Sequence, residues 1–291
     1  MRLIIVSGLS GSGKSVALNM LEDLDYYCVD NIPAGLLPGF IAYTVRTSEP
    51  AYRLTAVGVD ARNRPEDLAD VPRLVEELRR SGIGCEMLFL RADNEMLLKR
   101  FSETRRRHPL SRSGLGLQEA LEQEQRLLAP VANAADLTID TSRLSVHELR
   151  ELIRERVVER ETAGGPSLLF QSFAYRHGVP DDADFVFDAR ALPNPYWEPA
   201  LRDLTGRDPA VEDFMRRHED ADHFLADITG FLDRWLPSLV RSNRSYLTVA
   251  VGCTGGQHRS VYLAEKLAAH FSGRLGRPLI RHRDLASRRH E

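Results

Sequence analysis

Near the start of the chain lies Gly8-Leu9-Ser10-Gly11-Ser12-Gly13-Lys14-Ser15. It fits G-x-x-x-x-G-K-[ST] at every fixed position, the pattern of a loop whose backbone N–H groups wrap the phosphates of a nucleotide. The glycines let those N–H groups turn inward, Lys14 can reach the β and γ phosphates, and the Ser15 hydroxyl can ligate Mg2+. Glycine-rich turns also join strands to helices with no ligand. That accounts for the glycines but not for the Lys-Ser pair.

A loop of this kind needs a carboxylate for the magnesium or its water, usually at the end of a neighbouring strand. Two aspartates qualify. Asp30 follows Tyr26-Tyr27-Cys28-Val29 and Asp60 follows Leu54-Thr55-Ala56-Val57-Gly58-Val59, so both should emerge at the carboxyl edge of a sheet, where ligands bind in open α/β folds. Asp30 also suits a kinase base that orients an acceptor hydroxyl, and either residue could instead cap a helix or sit in a turn. Lys99-Arg100 and Arg105-Arg106-Arg107-His108 resemble the arginine lid that closes over phosphates in P-loop kinases, where such charges stabilise the transferring group.

Farther along, a strand-like run ends in Gly252-Cys253-Thr254-Gly255-Gly256-Gln257-His258-Arg259-Ser260, which spells C-x5-R-S. Cysteine phosphatases use that spacing to set a thiolate and a bidentate arginine around one phosphate. An anion site is expected here. Catalysis by Cys253 is not, because Gly252 precedes it where those enzymes have histidine and no general acid is evident; a buried, inert thiol is the simpler reading.

The elements that must position these residues alternate in the first half. Strands are expected at 3–6, 27–29, 54–59, 87–90 and 137–139, with crossover helices between them, the pattern of a parallel sheet covered on both faces. Ala17, Met20, Leu21 and Leu24 fall on one helical stripe. Ser145 and Glu148 form a capping-box pattern ahead of Leu149, Leu152 and Ile153. Ala163-Gly164-Gly165-Pro166 can continue neither a helix nor a central strand, so the boundary falls there: an N-terminal P-loop domain over 1–160 and a second α/β domain over 166–291. In the second, strands are expected at 168–173, 185–187 and 246–251, with helices near 224–239 and after His258.

The chain has 291 residues, enough for two domains with their own cores, and 43% of them are hydrophobic and 28% charged, inside the globular range. No apolar run is long enough to cross a bilayer, and the opening Leu3-Ile4-Ile5-Val6 is cut off by Ser7-Gly8; neither a leader nor a membrane span is expected. Three scattered cysteines, Cys28, Cys85 and Cys253, offer neither a disulfide framework nor a zinc knuckle, so the expected location is the cytoplasm. Net charge is −3, yet residues 241–291 carry ten Lys/Arg against Glu265, Asp284 and Glu291. That basic end suits a phosphate-rich partner or simply a solvated face. Arg274, Arg277, Arg281, Arg283, Arg288 and Arg289 could hold RNA by counterion release, with little aromatic interleaving for base stacking.

Taken together, the P-loop, Asp30-Asn31-Ile32-Pro33, Asp60-Ala61-Arg62-Asn63, residues 101–109, Phe187-Asp188-Ala189-Arg190, Leu192-Pro193-Asn194-Pro195 and residues 252–261 resemble the RapZ family of P-loop nucleotide-binding proteins, also described as RNase adapter proteins. The resemblance covers nearly the whole chain. It implies ATP at Gly8–Ser15, GTP assigned to Asp60, Ala61, Arg62 and Asn63, Mg2+ as cofactor, and weak ATPase and GTPase activity. In the branch known as an RNA adapter, the resemblance further implies an amino-sugar phosphate at Tyr196, Arg217, Thr254, Gly255 and Arg259, with Tyr196 where that branch has histidine. It also implies small RNA on Arg274, Arg281, Arg283, Arg288 and Arg289, presented to an endoribonuclease. The basic residues of this tail are all arginine, where that branch has several lysines.

Three functions remain in view: a regulatory NTP-binding protein that couples nucleotide or metabolite state to RNA, a small-molecule kinase with Lys14, Ser15 and Asp30 as its working residues, and a phosphatase using Cys253. The family resemblance favours the first. A homo-oligomer is expected.

Overall fold

Arg2–Gly8 (β1) is buried along its whole length, as a near-continuous apolar strand must be when both faces of its sheet are covered. Around it, the computed structural model describes residues 1–47, 49–113, 115–158, 166–241, 244–273 and 278–285. Contacts divide the chain into two units, residues 1–158 and 159–291. The residues expected at the boundary, 163–165, lie outside the described ones.

In the first unit, β1 lies between Leu54–Gly58 (β3) and Gly84–Arg91 (β4), with Tyr27–Val29 (β2) and Leu137–Asp140 (β5) at the edges. The order is β2-β3-β1-β4-β5 and every pairing is parallel. All five expected strands form. Since the chain winds to one side of β1 and then to the other, a crevice opens at the carboxyl end of β1, where ligands bind in sheets of this kind.

Among the described residues, six α-helices cover the faces: Lys14–Glu22 (α1), Leu37–Thr47 (α2), Pro65–Arg80 (α3), Asn94–Thr104 (α4), Leu117–Asn133 (α5) and Val146–Ile153 (α6). Ala17, Met20 and Leu21 are buried as the stripe requires and Leu18 joins them, while Leu24 lies past the end of α1 and is half-buried. The helix stops short of it because the chain turns through Asp25, whose φ is 65°, and the Tyr26 N–H closes back on the Leu21 carbonyl at 3.0 Å. The capping box is present: Ser145 Oγ accepts from the Glu148 N–H at 3.2 Å, and Glu148 Oε2 accepts from the Ser145 N–H at 2.8 Å. It fixes the start of α6, whose Leu149, Leu152 and Ile153 are buried, and α6 packs on α1.

The second unit holds four parallel strands, Ser167–Ala174 (β6), Phe185–Asp188 (β7), Tyr246–Cys253 (β8) and Leu279–His282 (β9), in the order β7-β8-β6-β9. Pro209–Arg216 (α7), Glu219–Arg241 (α8) and Arg259–Phe271 (α9) accompany them. Three strands and both long helices match expectation. β9 does not: its residues read as part of a basic tail, because Arg281 and His282 break the apolar pattern of a buried strand. An edge strand tolerates them. Gln171 pairs with Arg281 and Ser172 with His282, and β9 is followed by Asp284, whose side chain is fully enclosed and accepts from the Ala174 N–H at 2.7 Å and from His177 Nδ1 at 2.7 Å.

Candidate functional site

The phosphate loop runs from the end of β1 into α1. Gly13 has φ 104°, the left-handed region that favours glycine, and a Cβ there would lie 2.7 Å from Leu149 Cδ2. A larger residue would be strained at that φ and would have to push the Leu149 side chain aside. Among the described residues nothing in the protein accepts from the amides of Gly11, Gly13, Lys14 or Ser15. Those donors, at a helix N-terminus with its partial positive charge, are what a phosphate requires.

Three clips hold the loop in that shape. Arg100 donates to the Gly11 carbonyl at 2.9 Å, to Thr141 Oγ1 at 3.0 Å and to the Thr141 carbonyl at 2.6 Å. Thr141 Oγ1 donates to the Ser12 carbonyl at 2.9 Å. Glu124 accepts from the Ser10 N–H at 2.9 Å and from Ser10 Oγ at 2.7 Å. Thr141 and Glu124 escaped the sequence reading because neither belongs to a motif and both lie more than a hundred residues from the loop. Arg100 had been grouped with the lid and is instead part of the loop's support.

In front of the loop is a cavity of about 680 Å3 lined by residues 9–16, Asp60, Arg62, Arg106, Arg107, Thr141 and Leu149, among others. Arg106 and Arg107 of the lid run therefore face the phosphate site, and Arg100, though spent on the loop, lines it as well. Arg105 caps α4 with φ 50° and donates its backbone N–H to the Phe101 carbonyl.

Of the two candidate aspartates, Asp60 is the one at the loop. Its side chain is 4% exposed and Oδ2 lies 2.6 Å from Lys14 Nζ. Arg62 adds Nε contacts of 3.2 and 2.9 Å to the two carboxylate oxygens and an Nη2 contact of 2.5 Å. Burial pushes the Asp60 carboxyl up, but hydrogen bonds from Arg62 and the Lys14 charge outweigh it and hold the carboxyl at about 2. Asp30 is exposed at the end of β2, its Oδ1 accepts from the Asn31 N–H at 2.8 Å, and it does not line the cavity.

Asp60-Ala61-Arg62-Asn63 folds as a turn tied to itself. Asn63 Nδ2 donates to the Asp60 carbonyl at 3.1 Å, and Asn63 Oδ1 accepts from the Ala34 N–H at 2.6 Å. Arg62 also donates to Asn31 Oδ1. Ala61 is buried. Asp60 and Arg62 thus face the same cavity as the P-loop, and Asn63 does not line it.

No group of three or more His, Cys, Asp or Glu side chains placed to hold a metal occurs among the described residues. Ser15 lines the cavity and Asp60 stands beside Lys14, a donor pair that fits a hard cation completed by phosphate oxygens and water. Mg2+ bound there would neutralise charge on the β and γ phosphates.

In the second unit, β8 runs into the loop at 252–258 and then α9. Gly256 has φ 65°, and a Cβ there would lie 2.9 Å from the Ala174 N and 3.1 Å from Asp284 Cβ. Arg259 is buried; its Nη1 donates to the Arg190 carbonyl at 2.9 Å and the Leu192 carbonyl at 3.0 Å, Nη2 lies 3.4 Å from Thr254 Oγ1, and Nε has no partner. Arg259 and Thr254 are therefore brought together. Cys253 is also buried, with Sγ 3.1 Å from Ser260 Oγ. Tyr196 lies on the turn Pro195–Trp197 with the Arg202 guanidinium 4.9 Å over its ring, and Arg217 follows α7 at the surface.

Of the basic residues assigned to RNA, Arg281 lies in β9. Arg283 contacts Asp284 at 3.3 Å, donates to the carbonyls of Gly178 and Ala174, and lies 5.4 Å over the Phe173 ring. Arg283 therefore fastens the end of that edge strand. Arg274, Arg288 and Arg289 lie outside the described residues. No helix among the described residues is long and apolar enough to cross a membrane.

Comparison with known proteins agrees over nearly the full length. A model of the RapZ-like N-terminal domain matches residues 1–161, and one of the RapZ C-terminal domain matches residues 166–286. A nucleotide-binding protein of Thioalkalivibrio sulfidiphilus is 56% identical over 289 residues, covering 98% of this chain and all (100%) of that protein. One from Pseudomonas fluorescens is 51% identical over 286 residues, with the same coverage of 98% and 100%. Among solved structures, shikimate kinase from Bacteroides thetaiotaomicron is 16% identical, with a TM-score of 0.35, covering 53% of this chain and 98% of its own.

Proposed function

Since the chain belongs to the RapZ family of nucleotide-binding proteins in both of its domains, we propose that it is a regulatory protein which binds ATP with Mg2+ at the P-loop, hydrolyses it slowly, and couples that state to a second-domain site for a sugar phosphate, RNA or both. One observation carries the nucleotide half: the unpartnered amides of Gly11, Gly13, Lys14 and Ser15 face one cavity with Lys14, Arg106 and Arg107. GTP enters the same cavity in this reading, because Asp60 and Arg62 line it and the Asn63 side chain is held by Ala34 and the Asp60 carbonyl. Asp30 stands outside that cavity, which favours a hydrolase over a kinase with Asp30 as acceptor base.

For the second domain, the buried Arg259 beside Thr254 supports an anion at the 252–258 loop, with Gly255, Tyr196 and Arg217 as the remaining contacts of an amino-sugar phosphate. RNA recognition falls to the basic end, Arg274, Arg288 and Arg289 ahead of the sheet-bound Arg281 and Arg283, with an endoribonuclease as the receiving partner and a homo-oligomer as the working form.

The test uses the full chain. Lys14→Ala removes the charge-assisted contact to the phosphates and should weaken ATP binding by about 10- to 100-fold, the worth of one hydrogen bond to a charged group, and abolish hydrolysis. Small-RNA retention should fall steeply with salt and respond to an amino-sugar phosphate. Unaltered turnover in Lys14→Ala would move the nucleotide site elsewhere, and salt-insensitive or absent retention would remove RNA from the proposal.

A further inference from the structure

Glu124 on α5 has no exposed side-chain surface. Its Oε2 accepts from the Ser10 N–H at 2.9 Å, its Oε1 from Ser10 Oγ at 2.7 Å, and Oε2 also lies 3.0 Å from His108 Nε2. The Leu110 N–H donates to His108 Nδ1 at 3.2 Å, so Nε2 carries the ring proton and donates it to Glu124. The His108 ring also packs on Phe101, centroids 5.3 Å apart, and Phe101 and Leu97 form the floor under Gly11. Immediately before His108 come Arg106 and Arg107, which line the nucleotide cavity. One enclosed carboxylate therefore fastens two segments that the sequence separates: the phosphate loop through Ser10 and the arginine segment through His108.

Enclosing a carboxylate is expensive even when all its hydrogen bonds are made, and what it gains here is a link, because its two oxygens accept from Ser10 and from His108, groups on two different segments. The bonds fall on Ser10, the residue just before the unpartnered amides begin at Gly11. Without Glu124 the loop is still clipped at Gly11 by Arg100 and at Ser12 by Thr141, so those amides and Lys14 keep their hold on the inner phosphates. A terminal phosphate would lie between the loop on one side and Arg106 and Arg107, which line the same cavity, on the other.

We propose that Glu124 is a positioning residue which sets the spacing between the phosphate loop and the arginines through Ser10 and His108, and thereby makes the site prefer a nucleoside triphosphate over the diphosphate. The proposal rests on the reading of this cavity as a nucleotide site, and the experiment separates the two.

The full chain is titrated with ATP and with ADP in Mg2+, as wild type and as Glu124→Ala, Glu124→Gln, His108→Phe and Lys14→Ala. In Glu124→Ala the preference for ATP over ADP falls about tenfold, equivalent to about 1.4 kcal/mol, while ADP affinity stays within about twofold. Glu124→Gln restores most of the preference, since an amide can accept from the Ser10 N–H and donate to Ser10 Oγ. His108→Phe keeps the packing on Phe101, breaks the link and repeats the loss, which holds the proposal to account should Glu124→Ala fail to fold. On an Arg106→Ala, Arg107→Ala background the Glu124→Ala change adds little, because coupled residues are not additive. Equal loss of ATP and ADP affinity in Glu124→Ala, an unchanged preference in either Glu124→Ala or His108→Phe, or additivity with the arginine changes overturns it. Binding that Lys14→Ala leaves untouched overturns the nucleotide-site reading, and the proposal with it.

Discussion

Asp60→Asn keeps the shape of a buried side chain and removes its charge, so it isolates what that carboxylate does for Lys14. In the wild-type protein Asp60 is held at about 2 against an ordinary 3.8, by Arg62 and Lys14 acting against burial. A shift of that size is worth about 2 kcal/mol. The sign follows from the direction: a carboxyl held below its unfolded value contributes stability that is complete above about pH 4 and is lost as pH falls toward 2. Asparagine removes that contribution and leaves the Lys14 ammonium, 13% exposed, without a counter-charge. For a unit of this size 1 kcal/mol moves the melting temperature by about 2 to 4 °C, so the nucleotide-free first domain should melt about 4 to 8 °C lower near pH 7.

The assay is calorimetry of the full chain between pH 2 and 7, with the first-domain transition identified by its response to ATP. The wild-type and Asp60→Asn curves should draw together toward pH 2, where about half of the wild-type carboxyls are protonated and most of their contribution is gone. A second arm adds ATP with and without Mg2+. Lys14 must exchange Asp60 for phosphate on binding, so ATP alone should stabilise the variant at least as much as the wild type, whereas the extra stabilisation that Mg2+ gives should shrink. An unchanged melting temperature at pH 7 refutes the dependence of Lys14 on Asp60, and a full Mg2+ response in the variant refutes a metal role for Asp60.

Two further outcomes concern the second domain. Asp284→Ala strips the acceptor from the Ala174 N–H and from His177, so it should destabilise that domain by about 2 kcal/mol or more; and since burial is outweighed by the Ala174 N–H, Arg283 and His177, which hold Asp284 below the ordinary carboxylate range, the wild-type advantage should fade only below about pH 4. An unaltered denaturant midpoint would mean that β9 is not anchored there. Cys253→Ser should leave nucleotide hydrolysis and any phosphatase activity unchanged, because the thiol is buried against Ser260; loss of p-nitrophenyl phosphate turnover would make Cys253 a nucleophile.

What could be read from sequence was whatever is local. The strand-turn-helix around Gly8–Ser15 encodes its own shape, and the Ser145–Glu148 capping box needs only three residues to be recognised. The choice between Asp30 and Asp60 was not local. Both end strands, and only the sheet order, which puts β3 beside β1 and β2 one strand farther out, places Asp60 against Lys14. Glu124 and Thr141 were invisible for the same reason, as contacts made across the fold by residues that no periodicity distinguishes. β9 was missed on composition: a polar edge strand beside basic residues looks like a solvated tail until Ser172 and Gln171 are found opposite it. The consequence is practical. Truncation after Gly273 would delete β9 and Asp284 together with any RNA contacts, so substitution of Arg288 and Arg289 is the cleaner probe of the basic end.

The two glycine-rich turns then divide the work by how their cations are held. Each follows a fully buried parallel strand, β1 or β8, and each opens a helix. In the first, the cation is Lys14, a flexible ammonium paired with a carboxylate that an incoming phosphate can displace. In the second it is Arg259, whose guanidinium is locked to the carbonyls of Arg190 and Leu192. A movable charge with a competing partner suits a ligand whose phosphates and metal change during turnover. A guanidinium fixed to the backbone, with Nε unpartnered and Nη2 turned to Thr254, keeps one geometry whether or not an anion is bound. Under the proposed function, chemistry on phosphates therefore falls to the first domain, and unreactive recognition of an anion to the second.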